Sequence, residues 1–274
     1  MKLRRFAVLT ICASGIFAVT MTFAPVLPRW LDYAARCLLL LVLGVLLWLA
    51  PRSASLSRFR PVFFAYFTAV LSQSLGYFLA DPLLKLLGLT TQTPVGVAIA
   101  KFFQAFIIVV AILASTRAFG QNLASLYLRK GRLLFGVGVG SAAAAACLFL
   151  SLQQPAIRNL GTQKLVPLIP WILLFVLSNA FMEELFFRGL FLGRYEVLMG
   201  SWPAIFSTGF AFSLAHMQVT YAPDIFMFLA VTLVLSIAWG WLMQKTGSIW
   251  GSALFHAGAD LLIILPIFRS LGAS

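Results

Sequence analysis

The sequence predicts an all-α, polytopic membrane protein of about eight to nine transmembrane helices, with its polar clusters on helices of the carboxy-terminal half. Three observations carry this. Hydrophobic residues fill 62% of the 274 positions and charged residues only 10%, and the mean hydropathy is +1.00; ordinary soluble domains hold about 45–50% apolar and about 25% charged residues. The apolar residues come in runs close to the ~20 residues that cross a hydrocarbon layer. Within those runs lie Glu183, Glu184, Asp260 and both histidines, His216 and His256. A charge near a bilayer centre costs about 2.5–3.5 kcal/mol on insertion scales, so such residues mark a site.

Nine candidate spans follow from the runs: 6–27, 34–50, 62–80, 95–115, 133–152, 166–192, 202–217, 225–243 and 248–268. The first follows Lys2, Arg4 and Arg5 but is long and lacks a sharp small-residue cleavage site. It therefore reads as an uncleaved anchor rather than a signal peptide. The seventh is short for a full span and fits a tilted or partly re-entrant helix. No connection is long enough for a separate domain. Residues 1–165 read as amino-terminal helices without motifs, and 166–274 as the core that carries the chemistry.

Small residues recur inside the spans. Gly136 and Gly140, and again Gly247 and Gly251, have the GxxxG spacing of close helix packing. A phosphate-cradling loop is excluded around Gly136, Gly138 and Gly140, because no Lys-Ser/Thr follows. Cys12, Cys37 and Cys147 are an odd number without CxxC spacing, which argues against a disulfide framework or thiolate metal site. They are expected to be buried apolar thiols.

The net charge of +13 is spread singly or in small groups between the apolar runs. That arrangement fits membrane anchoring and anionic headgroups, not nucleic acid, because no basic face with interleaved aromatics is present. Lys and Arg near the span ends divide twelve to six in favour of the side holding the amino terminus, with Arg36, Arg158 and Lys164 on the minority side. The positive-inside bias thus puts the amino terminus in the cytoplasm. The expected location is a bacterial inner membrane.

Three polar clusters stand out. Glu183-Glu184-Leu185-Phe186-Phe187-Arg188 sits in an apolar helix. Glu184 and Arg188, four apart, share a face and can neutralise one another. Glu183 is turned about 100° from Glu184 and keeps no local partner; a buried, unpaired carboxylate is suited to take a proton from water. A helix-packing salt bridge would explain Glu184 and Arg188 but not Glu183. The second cluster, Phe212-Ser213-Leu214-Ala215-His216, ends on one of only two histidines. In the third, His256 and Asp260 lie four apart with small residues between them, leaving room for a neighbouring helix or substrate backbone. Ser252 precedes His256 by four, but a same-helix pair is a poor geometry for activating a nucleophile.

Taken in order, Glu-Glu-x-x-x-Arg, Phe-x-x-x-His and His-x-x-x-Asp resemble the CPBP family, the CAAX-protease and bacteriocin-processing membrane proteins, over residues 181–261. The resemblance implies an intramembrane, metal-free glutamate peptidase that acts on a membrane-associated peptide or protein and needs no cofactor. It implies that Glu183 and His216 activate a water, that His256 and the residue at 260 stabilise the oxyanion, and that Glu184, Arg188 and Phe212 support the site. The sequence departs from the prenyl-endopeptidase members, which have Asn where this chain has Asp260. An ionised Asp only accepts hydrogen bonds, so Asp260 would orient His256, keep it protonated or act as an acid. Two other readings use the same residues: a zinc-dependent membrane hydrolase with ligands from three helices, and a transporter or scaffold with a polar cavity. No HExxH helix supports the first, and no inverted repeat the second.

Overall fold

A computed structural model describes residues 2–18, 20, 27–158, 165–221 and 224–272. Positions 21–26 of the first candidate span, and Lys164, lie outside the described residues. Ten helices of eight or more residues carry the fold: α1 Lys2–Phe17, α2 Arg29–Leu49, α3 Arg60–Leu86, α4 Pro94–Ala118, α5 Leu133–Gln153, α6 Ile169–Glu183, α7 Leu192–Met199, α8 Ser201–Ala215, α9 Ile225–Thr246 and α10 Trp250–Gly272. A π-helical turn, Glu184–Gly189, joins α6 towards α7. Among the described residues there is no β-strand.

Seven helical stretches are long and apolar enough to cross a membrane. They correspond to the second to sixth, eighth and ninth candidate spans. The seventh forms the 15-residue α8, short of the ~20 that a full crossing takes; the first is helical over Lys2–Phe17, and its positions 19 and 21–26 lie outside the described residues. The protein is thus an integral membrane protein of all-α architecture. Its exposed apolar side chains, Leu38, Leu41, Phe106, Phe149 and Val234 among them, suit a lipid surround.

Local chemistry sets the helix ends. Thr93 accepts from the Gly96 amide at 3.1 Å and Pro94 fills the first turn of α4, where no donor is needed. Asp224 caps α9 through the Met227 amide at 3.0 Å, and Gly247 ends that helix at φ 65°.

The centre of the bundle is α10, which packs on α5, α6 and α9. The small-residue faces make this possible. A Cβ on Gly140 would strike the backbone of Gly251, one on Gly251 the backbone of Gly136, and one on Gly258 the backbone of Ala144. Gly138, on the other side of α5, meets nothing within 4 Å and takes no part. The amino-terminal helices close the bundle: α4 packs on α6, and α1 on α8, where Thr10 donates to Ser207 at 2.8 Å. Phe17 is wedged among Phe186, Phe187 and Phe191.

Two sequence expectations are corrected. Arg36, expected at an exterior flank, is 1% exposed and pairs with Asp32 at 2.8 Å, because α2 begins earlier than its apolar run. Cys147 is buried as expected, but Cys12 and Cys37 are exposed, on the lipid-facing sides of their helices. In lipid an apolar thiol gains nothing from burial in protein, so the soluble-protein rule does not transfer.

Candidate active site

Glu183 ends α6 and Glu184 opens the π-helical turn, so the two neighbours part company. Glu183 faces a cavity of about 610 Å³, while Glu184 is fully buried behind it. Single π turns inside helices occur often at functional sites, where the extra residue re-aims a side chain.

Behind the cavity, Glu184 organises three helices. One of its carboxylate oxygens accepts from Arg188 Nη1 at 2.8 Å and from His256 Nδ1 at 2.9 Å; the other accepts the Ser252 hydroxyl. Arg188 in turn donates to the carbonyl and hydroxyl oxygens of Ser236 on α9. Its guanidinium lies over the Phe212 ring at 4.6 Å. A buried charge is tolerable only when paired and hydrogen-bonded, and both conditions hold for this pair. The expected Glu184–Arg188 contact is therefore present, with a further part to play: it fixes His256. Ser252 is committed to Glu184 and is no nucleophile partner for His256.

On the cavity side, His256 Nε2 lies 3.4 Å from Glu183 and 3.6 Å from Asp260. The imidazole is stacked on Trp239, 3.8 Å between ring centroids and 9° from parallel. One nitrogen is held by Glu184, the ring plane by Trp239, and the free nitrogen looks into the cavity. Asp260 is oriented by Asn179, whose amide donates to it at 3.0 Å.

His216 sits at the carboxy-terminal end of α8, partly buried. Its Nδ1 is 2.8 Å from the Phe212 carbonyl. A carbonyl only accepts, so Nδ1 carries the proton and Nε2 keeps its lone pair. Phe212 stands between the two histidines, its centroid 4.5 Å from His216 and 5.6 Å from His256.

Glu183, His216, His256 and Asp260 thus line one cavity together with Phe212, whereas Glu184 and Arg188 lie outside it. Several lining residues escaped the sequence argument. Asn179 is four before Glu183 and so on its face, a spacing that would have revealed it. Trp239 had no signal among the many aromatic residues. Lys101 and Gln104, which bond each other at 2.9 Å on α4, also border the cavity, as do Gln73 and Tyr77 on α3. A lysine inside an apolar span was the available clue. Tyr221, in the connection before α9, lines the cavity as well; its partial burial, then the charges of Glu183 and Asp260, push the phenol above its usual range and keep it protonated.

Two buried groups in the lining have no protein partner among the described residues: Asn179 Oδ1 and Trp239 Nε1. Buried polar atoms of this kind ordinarily meet water or a ligand. No set of three His, Cys, Asp or Glu side chains is disposed to share a metal ion among the described residues.

A family model described as Type II CAAX prenyl endopeptidase Rce1-like matches residues 165–262. No curated protein and no solved structure matches the chain. The matched segment runs from the start of α6 into α10 and contains all three motifs, while the helices before it lie outside the match. Over residues 165–262 the chain is therefore similar to the Rce1-like family, a family of proteases, and the three motifs of the resemblance fall inside that stretch.

Proposed function

We propose that this protein is an intramembrane endopeptidase that cleaves a membrane-associated peptide or protein with a water activated by Glu183 and His216. The observation that carries this reading is the convergence of Glu183, His216, His256 and Asp260 on one cavity within an apolar bundle. Glu183 has no cationic partner on its own helix and faces the space where a water would stand. His216, with Nδ1 tied to a carbonyl, offers Nε2 as the second acceptor for that water. A water held by these two acceptors loses a proton as it attacks the scissile carbonyl. The carboxyl of Glu183 then carries that proton to the leaving amine.

The oxyanion needs a donor in a dry site, where each such hydrogen bond counts for more. His256 supplies it in protonated form: Nδ1 donates to Glu184 and Nε2 donates into the cavity. Asp260, 3.6 Å from Nε2, balances the imidazolium instead of donating itself. That accommodates the Asp where prenyl-endopeptidase relatives are expected to have Asn. The bacterial inner membrane and a cytoplasmic amino terminus complete the proposal; the Lys/Arg distribution supports that orientation.

The test is peptide profiling of membranes from cells making the wild-type chain or Glu183→Gln. Products present only with wild type, and lost also in His216→Ala at equal protein level, are expected. General acid–base groups are worth about 10²–10⁴-fold in rate. Purified Glu183→Gln protein that still cleaves those substrates at the wild-type rate would end the proposal.

A further inference from the structure

A second cavity, of about 380 Å³, opens at the other functional address of the bundle: the end where α2 and α4 finish and α3 and α5 begin. Its lining carries three arginines, Arg58, Arg129 and Arg194, and no acidic residue. The acid of α7, Glu196, is engaged by the Ser201 hydroxyl. Arg194 is nine-tenths buried and fixed, donating to the carbonyls of Gly189 at 3.2 Å and Leu190 at 2.6 Å and to Gln121 at 2.6 Å. Arg129 is braced by the Gly247 carbonyl at 2.7 Å. Arg58 leans on Phe59 and has no carboxylate within ion-pair range among the described residues. Tyr127, whose phenol burial pushes up to about 12, adds a protonated hydroxyl. Arg5 of α1 reaches the same region, donating to the Leu198 carbonyl.

Three guanidinium groups around one pocket that no carboxylate lines, one of them buried and two exposed, suit an anion, with Glu196 the nearby acid outside the lining. Guanidinium is matched in shape to phosphate oxygens. The pocket lies at the end of the membrane helices, the depth at which phosphoester headgroups reside. Besides Gln121 and Ser125, its remaining wall is mostly apolar: Pro61, Val62 and Leu198 line it with Val197, which is 86% exposed. A charged head with an adjoining apolar body fits both parts. Basic pockets between membrane helices hold anionic headgroups on these grounds.

We infer that the pocket formed by Arg58, Arg129 and Arg194 binds a phosphate-bearing anion, with an anionic phospholipid headgroup as the source favoured by its place in the bundle. The site is independent of the peptidase proposal. It is nevertheless wired to the same backbone, because Arg194 holds the carbonyls of Gly189 and Leu190 at the end of the turn that carries Glu184 and Arg188.

Native mass spectrometry of the full chain, titrated with dioleoyl phosphatidylglycerol, tests this against dioleoyl phosphatidylcholine. Retention of phosphatidylglycerol is expected, weakened about fivefold by Arg58→Gln and further by Arg58→Gln with Arg129→Gln, since each basic group near an anionic surface is worth on the order of a fivefold change. Arg29→Gln, at the opposite end of α2, should leave binding unchanged. Lipid that survives excess inorganic phosphate assigns the site to the headgroup; displacement by phosphate assigns the same pocket to a soluble phosphate. Equal binding of the two lipids, or equal losses in Arg58→Gln and Arg29→Gln, overturns the site.

Discussion

At the scale of single residues, the protein separates two adjacent carboxylates into different tasks. Glu184 is buried, neutralised by Arg188 and spent on holding His256, whereas Glu183 faces the cavity. The difference lies in partners, since both sit in the same helical stretch. A buried pair broken on one side leaves an uncompensated charge, at a cost of about 3–5 kcal/mol, while replacing both partners is often near neutral. Arg188→Met is therefore expected to lower thermal stability in detergent sharply. Glu184→Gln combined with Arg188→Met should recover most of that loss. Activity should stay low in the double variant, where His256 loses the Glu184 carboxylate; in Arg188→Met alone Glu184 remains but lacks the guanidinium that holds it. Melting of the double variant at or below the single Arg188→Met variant would contradict this account of the pair.

At the scale of elements, the site depends on how near α10 comes to α5. Gly258 lies between His256 and Asp260, and the approach of Ala144 leaves no room for a side chain there. Forcing extra atoms into a packed contact costs about 1–3 kcal/mol. Gly258→Leu should destabilise the bundle by that amount or more and push His256 and Asp260 out of register, reducing cleavage. Gly138→Ala, at a position with open space, should change stability by under about 0.5 kcal/mol. Thermal unfolding of the two variants side by side checks the contrast. The π-helical turn belongs to the same scale. It was not visible in the sequence, and its ends are tied to α9 and α10 through Arg188 and Glu184.

At the scale of the whole molecule, the matched segment does not make the cavity alone. Gln73, Tyr77, Lys101 and Gln104 reach it from α3 and α4, which precede the residues matched by the family model. The carboxy-terminal half expressed by itself is thus expected to lack activity. Co-expression of the chain split after Arg158 should restore it, since α4 packs against α6 without needing the covalent connection. Membrane helices that insert independently and then associate permit such reassembly. Activity in the isolated carboxy-terminal half would show that the amino-terminal lining is dispensable.

The sequence was legible where physics acts on one residue at a time. Hydropathy alone marked the membrane helices, because each apolar side chain contributes to transfer whatever its neighbours. Glu183, Glu184, Arg188, His216, His256 and Asp260 were legible for the converse reason, being costly in lipid. Gly136, Gly140 and Gly251 followed from spacing as packing positions of α5 and α10, whereas Gly247, paired with Gly251 by the same spacing, lies outside α10 and caps α9. Glu184 and Arg188, four apart on one helix, were legible as partners too, but partners on other helices were not. That His256 is held between Glu184 and Trp239, that Asn179 steers Asp260, that Arg36 is internal and that Lys101 borders the cavity all depend on contacts between helices far apart in the chain. Burial cost is a property of a residue; its compensation is a property of the fold.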